Sequence, residues 1–168
     1  MPSKAPLNLN ALPELHPTMS SQQQHQRLLK ITVLHYRKSG VSEADFTRWI
    51  QEDHIQRAAR IIQRHNVVHY TQYLTPSSAR EIFLPDLAHK PGWRMADFDA
   101  VISYYVRSPD DMRALLSDPE WIEQVNAREE AWADVRNVVT MVGWETVYIR
   151  DGAVVEEALK SRSSASKL

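Results

Sequence analysis

The order in which strand-forming and helix-forming segments follow one another along residues 28–152 leaves few folds open. Residues 29–37 are rich in β-branched and aromatic side chains and read as a first strand. Ser42 has helix-starting chemistry and Asp45 stands three positions on, where an acid can cap a first turn, so a helix is expected over residues 42–64. Residues 67–74 read as a second strand closed by Thr75-Pro76-Ser77-Ser78, and residues 98–106 as a third. Ser108-Pro109-Asp110-Asp111 is a helix start with proline at the first helical position. A short helix through Leu116 is followed by a restart at Asp118-Pro119-Glu120 and a helix to about Ala133. Residues 137–149 form a long fourth strand, and Asp151-Gly152 turns the chain into its tail. The order β-α-β-β-α-β predicts an α+β, ferredoxin-like domain with a four-stranded antiparallel sheet.

The fourth strand adds a second constraint. One face would carry Val138, Val142, Trp144 and Tyr148, and the other Val139, Met141, Gly143 and Val147. Both are largely apolar, yet two helices cover only one face of such a sheet. A second copy of the chain is the economical cover for the other, which predicts a homodimer with its sheets packed together and its helices outside.

Residues 1–27 hold Pro2, Pro6, Pro13 and Pro17 with a Gln22-Gln23-Gln24 run and no sustained periodicity, so they are expected to lack a fixed fold. Residues 76–97, broken by Pro85, Pro91 and Gly92, read as irregular: either a lid over a pocket or a surface excursion pinned by Trp93. Twenty basic against 21 acidic residues argue against a nucleic-acid or membrane partner, and the absence of cysteine excludes disulfides and thiolate chemistry. Without an apolar spanning run or signal core, a soluble intracellular protein is expected. The flexible tail, residues 153–168, ends in Ser166-Lys167-Leu168, the tripeptide read by the peroxisomal import receptor. It predicts a peroxisomal address, otherwise cytoplasmic residence.

The first helix holds the most informative side chain. At about 100° per residue, Phe46, Ile50, His54, Ala58 and Ile61 fall within an arc of roughly 120°, which places His54 inside the stripe that faces the core. A histidine there is either a satisfied structural group or the working group of a pocket.

Strand one with Arg37-Lys38-Ser39-Gly40, then Phe46, Trp49 and Asp53-His54, resembles the EthD-type dimeric α/β barrel proteins. Phe98-Asp99-Ala100, Ser108-Pro109-Asp110, Asp118-Pro119 and Val142-Gly143-Trp144-Glu145 are similar to fungal members. The resemblance spans residues 28–152. It implies a cofactor-free dehydratase, decarboxylase or ring-closing protein of aromatic polyketide pathways in secondary metabolism, with the family histidine at His54. Wider relatives include polyketide cyclases, lactone isomerases and cofactor-independent oxygenases. Many members follow this histidine with a small residue and proline, whereas Ile55-Gln56-Arg57 follows here and leaves the helix unbroken. A peroxisomal signal is not a trait of the family.

A neutral imidazole between helix and sheet can take a proton from an acidic carbon and return it to a leaving hydroxyl, with no metal or organic cofactor. His54 is therefore the first candidate catalytic residue, joined by His69 and Tyr104. Each of His35 and His69 points to either the helix side or the dimer seam, since a one-residue slip exchanges the faces. His35, Tyr36, Arg37, Trp93, Asp99 and Trp144 are candidate contacts to a small aromatic or polyketide-like substrate. Tyr36, Tyr104 and Tyr105 are hydrogen-bond donors suited to an enolate oxygen, and Arg37 and Lys38 to a carboxylate. His65 and His69 have helical metal-ligand spacing but lack the glutamate of H-E-x-x-H, so no metal is expected. Nor is there a phosphate-cradling loop or a G-x-S-x-G nucleophile elbow. A ligand-binding dimer without turnover is the reading outside enzymology.

Overall fold

The computed structural model describes residues 28–160. The expected structureless leader and the terminal Ser166-Lys167-Leu168 lie outside the described residues. Four strands, β1 (Leu29–His35), β2 (His69–Leu74), β3 (Ala100–Val106) and β4 (Val139–Trp144), form one antiparallel sheet in the order β2-β3-β1-β4. This is the expected ferredoxin-like topology. β1 is central, paired Ile31 to Tyr104 on one side and Ile31 to Val142 on the other.

The strands are shorter than their sequence signals. β1 stops at His35 because the Arg37 N–H leaves the ladder and donates to the Asp99 carboxylate at 2.8 Å. β4 stops at Trp144, the partner of Leu29, where β1 itself begins. Residues beyond it do not extend the strand to 149. Ile149–Arg150 (β5) and Ala153–Val154 (β6) instead make a separate hairpin, closed by Asp151 and Gly152 with φ of 50° and 78°. That pair of positive angles suits a tight primed turn. A short helix, Glu156–Lys160, follows where a flexible tail was expected.

The first helix, α1, runs through Glu43–Arg48, a wide π turn at Trp49–His54, and Ile55–Arg64. Ser42 caps it, its hydroxyl accepting the Asp45 N–H at 3.1 Å. A spacing of four residues overshoots a full α turn by about 40°. Phe46, Ile50, His54 and Ala58 repeat at that spacing, so a regular helix would spread them across about 120° of its face. A turn closed by i→i+5 bonds advances less per residue and cancels part of the drift. All four are buried.

The second helical layer consists of α3 (Pro109–Leu116) and α4, which combines Pro119–Trp121, a π turn at Ile122–Asn126 and Ala127–Glu129. Ser108 and Asp111 form a reciprocal capping box at the start of α3. Trp121, Val125 and Glu129 also recur every fourth residue, across another wide turn. Phe46, Ile50, Ile61, Ile102, Val106, Leu115 and Val125 form the innermost core between helices and sheet.

Residues 76–97 were expected to be irregular, but Ser77–Leu87 is a helix, α2. The Glu43 carboxylate accepts the Ser77 N–H at 2.9 Å and supplies the missing cap. Pro85 lies within α2, where its ring nitrogen donates nothing to the preceding turn. No residue of α2 is buried, and Trp93 is 66% exposed, so Trp93 does not pin the segment. Lys90 approaches its ring at 5.9 Å. No helix among the described residues is long and apolar enough to cross a membrane.

Candidate active site

The π turn of α1 delivers His54 to the interface of helix and sheet, where it is 3% exposed. The edge of Trp49 packs on its ring at 5.3 Å, and Trp49 stacks in turn on Trp132 at 5.9 Å. Trp132 is held at this place by the backbone. Its carbonyl accepts the Lys38 N–H at 2.7 Å, while Asp134 N–H donates to the Tyr36 carbonyl at 2.9 Å. The end of β1 and the segment after α4 are thereby tied together beside the histidine.

Each ring nitrogen of His54 faces a polar group. Nε2 lies 3.3 Å from the Tyr70 hydroxyl, and Nδ1 lies 4.0 Å from Oε1 of Glu129. Gln72 donates its amide N–H both to the Tyr70 oxygen at 3.1 Å and to the Ile50 carbonyl at 3.3 Å. Tyr104, fully inside the core, sets its ring edge-on to Tyr70 at 5.2 Å and to Trp121 at 6.4 Å. His35, 8% exposed, belongs to the same helix-facing side of the sheet.

Electrostatics follow from this burial. Loss of water pushes His54 down to about 4, with the neighbouring His35 adding to the effect and Asp53 opposing it. Burial alone takes His35 down to about 4. Burial raises the Glu129 carboxyl to about 7 and the Tyr70 phenol to about 12. The Tyr104 phenol is held well above its ordinary value by burial, then by Tyr70 and Glu129.

The short separation of His54 and Glu129 suggests an ion pair, whereas these shifts favour two neutral groups. Moving the proton from Glu129 to His54 costs about 4 kcal/mol, and at 4.0 Å the attraction in a surface-like dielectric is also about 4 kcal/mol, so the two nearly balance. The hydrogen bonds tip the balance: Gln72 donates to the Tyr70 oxygen, which directs the hydroxyl proton to Nε2 and favours a neutral imidazole at rest.

The sequence candidates divide between two faces and one edge. His54, His35 and Tyr104 come together on the helix side. His69 does not join them. It pairs in register with Tyr105, packs edge-on to that ring at 5.8 Å, and lies on the opposite, open face of the sheet. The phase of β2 that meets the helices is Tyr70, Gln72 and Leu74. Tyr36 packs at a tilt of 38° against Phe98, centroids 4.7 Å apart, and donates to Asp97 at 3.0 Å. Arg37 and Asp99 bind one another at 2.9 Å at the strand edge. Trp144, 65% exposed, borders a concavity on the open face with Lys30, Met141 and Glu145. Trp93, exposed beyond α2, is likewise outside the His54 cluster. His65 pairs with Asp118 at 2.6 Å, away from His69's face.

Tyr70, Gln72 and Glu129 were not among the sequence candidates. For Glu129 a signal existed: it continues the four-residue spacing of Trp121 and Val125. For Tyr70 and Gln72 there was none, since both phases of β2 mix polar and apolar side chains.

The EthD domain profile matches residues 38–136. A dehydratase of Pestalotiopsis fici is 30% identical over 130 residues, covering 77% of this chain and 94% of the relative. A proposed oxygenase of Aspergillus terreus is 29% identical, covering 77% and 81%. A decarboxylase of Aspergillus novofumigatus is 24% identical, covering 84% and 94%. The relatives thus carry the names of three kinds of enzyme on one domain. With a profile matching more than half of its length, the chain belongs to the EthD domain family.

Proposed function

We propose that this protein is a cofactor-free lyase that uses His54 as general base on an aromatic or polyketide-derived carbonyl compound. The observation that carries the reading is the buried imidazole of His54 with the Tyr70 hydroxyl 3.3 Å from its Nε2. Dehydration suits it best. His54 takes the proton from the carbon beside the carbonyl, the Tyr70 hydroxyl turns to the enolate oxygen, and collapse of the enolate expels the β-hydroxyl. The imidazolium returns its proton to that oxygen, so water leaves and His54 is neutral again. Decarboxylation by ring protonation would begin from the imidazolium, the form that burial disfavours. The 30% identical relative, named a dehydratase, supports the same order of preference.

The oxygenase name of the Aspergillus terreus relative supports a second reading, in which the deprotonated substrate itself reduces oxygen. The experiment is turnover on a panel of hydroxylated aromatic acids and β-hydroxy ketones, with product mass taken in air and under nitrogen. Loss of water in both atmospheres supports the dehydratase. Loss of carbon dioxide in both makes it a decarboxylase, and gain of oxygen in air alone makes it an oxygenase. Tight binding without product makes it a ligand-binding protein.

Two further parts of the proposal concern the whole molecule. A second copy would pack on the open sheet face, where Tyr73, Val139 and Met141 are exposed around Thr71 and Val101. The terminal Ser166-Lys167-Leu168 would be read by the peroxisomal import receptor and carry the dimer into peroxisomes.

A further inference from the structure

The donors and acceptors around His54 have a direction. Gln72 gives its N–H to the Tyr70 oxygen, so the Tyr70 hydroxyl proton is directed to His54 Nε2. An Nε2 that accepts is an Nε2 without a proton, which puts the proton of a neutral imidazole on Nδ1. Nδ1 faces Glu129, whose side chain is 18% exposed at the end of α4. The wide turns precede or contain both residues: His54 ends one in α1, and Glu129 follows one in α4 by three residues. Such turns are frequent at functional sites.

We propose that Glu129 is the positioning residue of His54, receiving its Nδ1–H so that the Nε2 lone pair is the one presented to Tyr70 and substrate. The inference rests on His54 being the base. When His54 takes a proton at Nε2 it becomes an imidazolium, with N–H groups at both nitrogens. An ionised Glu129 then faces the new charge, and no proton need pass to the carboxylate. Contact at 4.0 Å is looser than a hydrogen bond, so the Glu129 carboxylate must approach Nδ1 to accept its proton. The groups that set the charge here come from every neighbouring element: His35 from β1, Asp53 from α1, Tyr70 from β2, Tyr104 from β3 and Glu129 itself.

Imidazole 15N spectra of the full chain, wild type against Glu129→Gln, Glu129→Ala and Glu129→Asp, test this without any substrate. The expected wild-type spectrum shows the Nδ1-protonated form above about pH 7, reverting towards an Nε2–H mixture in Glu129→Ala and restored in Glu129→Asp. On a substrate that the wild type turns over, Glu129→Gln should lower kcat by about tenfold or more while KM changes by less than about twofold. An unchanged His54 tautomer in Glu129→Ala would overturn the assignment. So would a rise in KM alone, which marks Glu129 as a substrate contact. Because the tautomer is read without turnover, failure of the lyase reading leaves this result interpretable. Circular dichroism on each variant guards against misfolding, with the near-isosteric Glu129→Gln as the conservative case.

Discussion

Acid should destabilise this protein by less than its two buried histidines alone would cause, and replacing Glu129 should expose the difference. His35 and His54 are held down at about 4 from an unfolded value of 6.5. Their contribution is present above that unfolded value and is lost as the pH falls towards the folded one, because the unfolded chain then binds more protons. From about pH 7 to about pH 5 each loses about 2 kcal/mol, so the pair loses about 4 kcal/mol. Glu129 acts with the opposite sign, its folded value raised to about 7 from 4.5. It contributes most below its unfolded value and loses that as the pH rises through the folded one, so the same acid step gains about 2 kcal/mol. The wild type should therefore lose about 2 kcal/mol over this window, and Glu129→Gln, which cannot take up the proton, about 4 kcal/mol. Urea unfolding at both pH values and one fixed protein concentration reads the difference, and background titrations cancel between the two proteins. Equal acid losses in the two proteins would refute the assignment of Glu129 as a buried, protonatable partner of the site.

Phe46→Ala empties a site that is 1% exposed beside Trp49, and should cost about 3–5 kcal/mol in urea or thermal unfolding. Met141→Glu places a charge on the open sheet face, and sedimentation should find the wild type dimeric and the variant monomeric. A wild type that sediments as a monomer would defeat the dimer proposal. The full chain fused behind a fluorescent protein should co-localise with peroxisomes, and removal of Leu168 should release it into the cytosol.

The topology was legible because it is written in periodicity, capping and turn chemistry. Ser42, Ser108 and Asp118 start helices as their side chains predict, each accepting a backbone N–H of its first turn. What was not legible depended on contacts distant in sequence. α2 owes its cap to Glu43, 34 residues away, and so resembled a loop. The extent of β4 is set by where β1 begins, not by its own apolar run. The placement of His54 on the core stripe agrees with the structure, although its helix is widened there. The facing of His35 and His69 turned on strand register, which a strand of mixed residues does not encode. Tyr70 and Gln72 lie on the phase of β2 that carried no apolar bias, and their approach to His54 exists only once β2 has paired with β3.

The most direct test of the central claim is the turnover number of His54→Ala beside the wild type, measured under nitrogen on a substrate that the wild type consumes. If His54 is the base, the substitution should lower kcat by about a hundredfold or more, with the fold intact by circular dichroism. Turnover within about tenfold of the wild type would contradict the account and move the chemistry to another part of the molecule.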